Sequence, residues 1–141
     1  MSFASPRAAQ AYAQVDVETR VAAADPHKLI LLLFDGALLA IAKADAALVN
    51  RAVVDKEQAI ARATDIIGSG LRASLDFSHG DDLAPRLAAL YDYMVRRLID
   101  ANIKNDAAAL REVHGLLAEL RSAWEEIASD PAVVSSTMGA A

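Results

Sequence analysis

The sequence predicts an all-α fold, an antiparallel up-down four-helix bundle preceded by an N-terminal arm or short helix. Three observations carry this. Alanine, leucine, arginine and glutamate dominate, and β-branched runs are short, a composition that favours helix. Four segments of about 20 residues repeat apolar side chains at i, i+3, i+4 and i+7, the spacing of one helix face. Their connections are short, so successive helices reverse direction and pack side by side. At 141 residues the chain suits one domain with a core of its own.

Residues 1–24 read as an arm or lid, in which "PRAAQAYAQV" has room for two or three helical turns. Asp25-Pro26 is a start signal. The carboxylate can accept orphan backbone N–H groups, and proline at the first helical position loses no hydrogen bond. The first helix is expected from Pro26 to about Val49. After a connection at 50–54, the second runs from Asp55 to about Leu75, with Gly68 and Gly70 weakening its last turns by roughly 1 kcal/mol each. "DFSHGDD" is a turn-rich loop. Asp81 or Asp82 caps the third helix, which carries Pro85 in its first turn and ends near Asn102. The fourth runs from Asp106 to about Ser129, closed by Pro131. This places the bundle at 25–129 and a disordered tail at 130–141.

Each helix offers a core stripe: Ile60, Ala63, Ile67, Leu71 and Leu75 on the second; Leu83, Leu87, Leu90, Met94 and Leu98 on the third; Leu110, Val113, Leu116/Leu117, Leu120, Trp124 and Ile127 on the fourth. The first is unusual. "KLILLLFDGALLAIA" is apolar nearly all round, with Leu29, Leu33, Gly36/Ala37 and Ala40 on one face and Ile30, Phe34, Leu38 and Ile41 on another. Mean hydropathy is positive and 55% of residues are hydrophobic, high for a soluble domain. Either the arm covers the surplus face, or a partner does for part of the time.

Composition excludes several functions. No cysteine is present, so disulfides, thiolate metal sites and cysteine nucleophiles are absent. A net charge of −5 disfavours binding to nucleic acid and to anionic membranes. The longest apolar run, Leu29 to Phe34, is far short of a membrane span, and the N-terminus lacks the apolar region of an export signal, so a cytoplasmic protein is expected. There is no glycine-rich phosphate loop and no paired acid–base motif. Asp81-Asp82 and Glu125-Glu126 are sequence neighbours that diverge by about 100° on a helix. His27, His79 and His114 belong to different elements. No catalytic residue, cofactor or metal site is expected. His114-Gly115 on a four-helix bundle leaves a histidine phosphotransfer domain as an alternative, and a structural bundle dimerising through the first helix as another.

Charged residues read as surface lacing, with Asp92–Arg96 and Asp100–Lys104 in the favourable i, i+4 order. Arg96-Arg97 is a solvated pair or an anion contact. Tyr91 and Tyr93 point some 200° apart, so both cannot enter one seam. They are boundary residues packing on neighbours, or one lines a groove for a helical ligand.

Four ordered blocks resemble the flagellin-specific flagellar export chaperone family: "AADPHKLILLLFDGAL" at 23–38, "SLD" at 74–76, "LAALYDYMVRRLIDAN" at 87–102 and "LREVHGLLAELRSAW" at 110–124. The resemblance covers about residues 10–128. The family's T-A-S-P and L-Y-D-G-A patterns are altered here by Ala23, Asp25 and Phe34, and Tyr12 falls where the family has an arm tyrosine. The resemblance implies an antiparallel helical bundle that is not an enzyme. Such a protein binds the C-terminal segment of flagellin, prevents its premature polymerisation in the cytoplasm and delivers it to the flagellar type III export gate. It also implies an arm lying over part of the groove when flagellin is absent. The flagellin-binding candidates are Phe34, Leu38, Ile41, Tyr91, Tyr93 and Met94, with Tyr12 as a lid contact, in a monomer or weak dimer.

Overall fold

The computed structural model describes residues 25–128. They form four helices: α1 (Pro26–Val49), α2 (Val53–Asp65), α3 (Leu83–Lys104) and α4 (Ala107–Ala128). The arm at 1–24, Tyr12 within it, the tail at 130–141 and the expected helix end at Ser129 lie outside the described residues.

α1 begins as its first residues dictate. Asp25 Oδ1 accepts from the backbone N–H of His27 at 3.1 Å and of Lys28 at 3.4 Å, and Pro26 occupies the first turn. α1 and α3 both end on a residue in the left-handed region. Arg51 (φ 58°) follows α1, where the N–H of Ala52 bonds to the Ala47 carbonyl at 2.9 Å and that of Arg51 to the Leu48 carbonyl at 3.2 Å. Asn105 (φ 53°) follows α3, where the Asp106 N–H bonds to the Ala101 carbonyl at 3.1 Å. These six-to-one bonds are the Schellman ending, which satisfies orphan carbonyls and turns the chain sharply. α2 therefore starts at Val53 rather than Asp55, and α3 runs past Asn102 to Lys104.

α2 does not continue to Leu75. It opens at Ile66–Leu71 into a π-helical stretch and then tightens into a 3₁₀ turn at Arg72–Ser74. Gly68 and Gly70, expected to weaken these turns, lie inside the widened segment. Widening keeps Ile66, Ile67, Gly70 and Leu71 all buried. Gly36 of α1 faces this stretch: a Cβ there would stand 3.3 Å from Ile66 Cδ1, so the missing side chain lets α1 approach closely.

Contacts across the seams fix the directions. Along α1, Asp35 meets Arg121 and Asp45 meets Arg111, so α4 runs opposite to α1. Lys56 reaches Asn102 and Arg72 reaches Asp92, so α2 and α3 are antiparallel as well. Each helix packs on its two neighbours in the ring α1–α2–α3–α4. The core lies between them, with Ile41, Ile67, Leu71, Met94, Leu98, Leu110, Val113 and Leu117 its largest fully buried side chains.

The third helix corrects two expectations. Leu83 is 59% exposed, and the buried face is Ala84, Ala88, Tyr91, Met94, Leu98 and Ala101. Alanines at close approach displace the leucine stripe by one position in the first half of α3. The expected pairs Asp92–Arg96 and Asp100–Lys104 do not form. Asp92 accepts instead from Arg72, with Nε at 2.8 Å and Nη2 at 3.3 Å, and Asp100 lies 3.8 Å from Arg97. At Asp92 the planar guanidinium of Arg72, from the continuation of the neighbouring helix, supplies two donors at once.

Candidate functional site

The expected site residues fall into two groups. Phe34, Ile41, Tyr91 and Met94 are buried and belong to the central core. Leu38, which packs against that core, and Tyr93 are half-buried and reach the surface. The placement follows from helix geometry. Phe34, Ala37, Ile41 and Ala44 share the inward face of α1, and Leu38 lies at its edge, on the α4 side. Tyr91 shares its face with Met94 and Leu98, whereas Tyr93 turns toward α4.

The two tyrosines differ electrostatically. Burial pushes the Tyr91 hydroxyl up to about 12, because phenolate loses its hydration in the core. The Tyr93 hydroxyl donates to Glu112 Oε2, and Arg97 Nε donates to Glu112 Oε1 at 2.7 Å. The Tyr93 bond and then the Arg97 bond hold the Glu112 carboxyl below the usual carboxylate range. The same Tyr93–Glu112 bond raises the Tyr93 hydroxyl. Of the arginine pair, Arg97 thus binds a carboxylate of the chain itself, and Arg96 is exposed.

α1 carries more apolar surface than the core uses. Beside its buried face, Leu31, Leu32 and Leu38 are half-buried and Leu39 is 55% exposed. Leu32 and Leu39 stand seven residues apart on the outward strip, off both of the stripes expected from sequence. Only the all-round apolarity of "KLILLLFDGALLAIA" signalled them. The seam between α1 and α4 beside this strip is closed by polar contacts. Arg121 Nε donates to Asp35 Oδ1 at 2.5 Å, and Arg111 lies 3.8 Å from Asp45. At its upper end His27 is buried, its ring stacked on Trp124 at 4.0 Å, and Trp124 Nε1 donates to the His27 carbonyl at 3.0 Å.

Among the described residues, no group of three or more His, Cys, Asp or Glu is placed to hold a metal. His114 is exposed on α4 beside Gly115, with no hydrogen-bond or ion-pair partner for its ring among the described residues. No described helix is long and apolar enough to cross a membrane.

The sequence of this chain matches the family described as flagellar protein FliS over residues 8–131. The chain belongs to that family. It is 49% identical to the flagellar secretion chaperone FliS of Salmonella typhimurium, over 84% of this chain and 87% of the relative. It is 41% identical to the flagellar secretion chaperone FliS of Escherichia coli, over 89% and 92%. With the flagellar secretion chaperone FliSB of Pseudomonas aeruginosa the identity is 43%, over 86% and 95%. For this FliS family member the surplus face of α1 is therefore the feature to explain.

Proposed function

We propose that this protein is a cytoplasmic, non-enzymatic export chaperone. It binds the C-terminal segment of flagellin, keeps it from polymerising prematurely and delivers it to the flagellar type III secretion apparatus. The observation that carries the reading is the outward apolar strip of α1, where Leu39 is exposed above a core already complete with Leu33, Phe34, Ala37 and Ile41. A flagellin terminus made of amphipathic helices exposes one apolar face when alone. Such a face docks on an apolar helix surface by the same i, i+3, i+4 and i+7 anchoring that packs a bundle.

Within the proposed site the residues divide by reach. Leu38, Leu39 and Tyr93 touch the client, and Tyr12 contacts it or the groove as a lid. Phe34, Ile41, Tyr91 and Met94 shape the surface from beneath. Membership of a family whose relatives are named flagellar secretion chaperones supports the reading.

The test is calorimetric titration of the full chain with the C-terminal segment of flagellin from the same organism. A 1:1 complex of micromolar affinity or better, about 8 kcal/mol, with a negative heat-capacity change is expected. Leu39→Asp should weaken it at least tenfold and leave the melting temperature unchanged. Phe34→Ala should instead unfold the bundle more easily, by about 3–5 kcal/mol. No heat and no co-elution with flagellin would sink the reading.

A further inference from the structure

Arg62 of α2 is a cation without an acid. Of the arginines among the described residues, Arg72, Arg86, Arg97, Arg111 and Arg121 each meet a carboxylate. Arg51 and Arg96 do not, but both are exposed, so water serves their donors. Arg62 has no hydrogen-bond or ion-pair partner among the described residues either, yet it is half-buried. Burial alone pulls its guanidinium below the usual arginine value, and no acid offsets that cost. The chain has 19 acids against 14 lysines and arginines, so carboxylates are not scarce. Asp65, one turn along α2, has a contact of its own. Asp55, on the same side of α2, is two turns away, about 10 Å along the axis.

The register of α1 against α2 places this cation. Gly36 stands against Ile66 across their seam, and the short turn between the helices makes them antiparallel. Arg62 lies one turn before Ile66 on the same side of α2, about 6 Å along the axis. It is therefore level with Ala40, between Gly36 and Lys43. Lys43 follows Gly36 by two turns on the same side of α1, and it is exposed with no ion-pair partner among the described residues. Leu39 stands one turn beyond both Asp35, which faces α4, and Gly36, which faces α2, so it lies between the two seams. The outward strip of Leu32 and Leu39 thus has unlike flanks. On the α4 flank Arg121 neutralises Asp35. On the α2 flank Lys43 and Arg62 leave two positive charges without a partner.

We propose that Arg62, with Lys43 beside it, is a specificity contact of the client site and binds a side-chain carboxylate of the docked helix. The inference rests on the export-chaperone reading and adds to it the chemistry that the client must carry. A helix laid on Leu32 and Leu39 is held by its apolar face, which alone fixes neither its rotation nor its direction. One aspartate or glutamate, three or four residues from the anchor over Leu39, reaches the α2 flank and offers the guanidinium two acceptor oxygens. The same acid turned to the α4 flank would meet Asp35 and be repelled. A helix with no acid on the α2 flank would cover Arg62 further and leave it unpaired, so selection works by penalty as well as by attraction.

Calorimetry of the full chain with the C-terminal segment of flagellin tests this. Arg62→Gln should weaken binding about tenfold to a hundredfold, as expected for a charge-assisted contact. Lys43→Gln, at the exposed rim, should weaken it about threefold. The melting temperature of the free chain should not fall with Arg62→Gln, because the fold gives Arg62 no partner to lose. Changing each acid of the segment in turn to its amide should identify one whose loss weakens the wild-type chain as much and the Arg62→Gln chain hardly at all. Arg62→Glu should then regain binding when that acid of the segment is replaced by lysine. If the wild-type chain does not bind the segment, the chaperone reading falls and this contact with it. If the wild-type chain binds and Arg62→Gln binds equally well, the carboxylate contact alone is overturned. It is also overturned if no single acid couples to Arg62, or if only amidation of the segment's terminal carboxylate does. A lowered melting temperature without such coupling would mark Arg62 as structural and overturn it too.

Discussion

The seam between α1 and α4 and the seam between α2 and α3 both join antiparallel helices, by different means. α1 and α4 are laced by exposed ion pairs, Asp35–Arg121 and Asp45–Arg111, and closed above by the His27–Trp124 stack. α2 and α3 are pinned by Lys56, only 5% exposed, whose ammonium serves the carbonyl and side-chain oxygens at the end of α3. Beyond that pin the seam opens onto bare valine and isoleucine. A bundle can thus tie one seam with two solvent-exposed ion pairs and a ring stack, and another with an exposed ion pair, Arg72–Asp92, and a buried ammonium. The second way leaves apolar surface at its margin.

The contrast breaks most visibly at Lys56. Lys56→Ala removes two charge-assisted bonds and leaves the Asn102 carbonyl without its donor. Urea unfolding should show a loss of about 2–3 kcal/mol. A loss below about 0.5 kcal/mol would mean that water replaces the ammonium and that the two seams are alike.

Arg51→Gly probes the turn beside the same seam. Relief of the left-handed arginine should raise stability by up to about 1 kcal/mol in the same assay, with the helices unchanged. Unchanged or lower stability would show that the arginine side chain compensates for its backbone.

The smallest effect belongs to the other seam. Arg121→Ala should cost only about 0.5 kcal/mol, because Asp35 is half exposed and water screens the pair. That cost should shrink further when unfolding is repeated in high salt. A loss equal to that of Lys56→Ala would erase the distinction between the seams.

Periodicity and punctuation read locally foretold much of the fold. Asp25-Pro26 opens α1 as expected, and Pro26–Val49 is the predicted span. The failures share a cause. The leucine stripe of α3 placed Leu83 in the core, yet Ala84 and Ala88 take that face because close helix approach favours small side chains over large ones. Glycines at 68 and 70 marked a weak helix end, but whether it would fray, stop or widen depended on packing Ile66 against Gly36, far away in the chain.

For the candidate site, the sequence could list large side chains on α1 and α3 but not rank their access. Phe34, Ile41, Tyr91 and Met94 face inward, and Leu39, on neither expected stripe, faces out. Local patterning by itself determined the four helices and the cap of α1, because those depend on neighbours three or four residues apart, while the resemblance to the family rested on four ordered blocks of sequence. Only the tertiary structure decided which charges pair and which apolar faces stay bare. Both depend on which helix stands beside which, and Asp92 turning to Arg72 instead of Arg96 is set by that geometry alone.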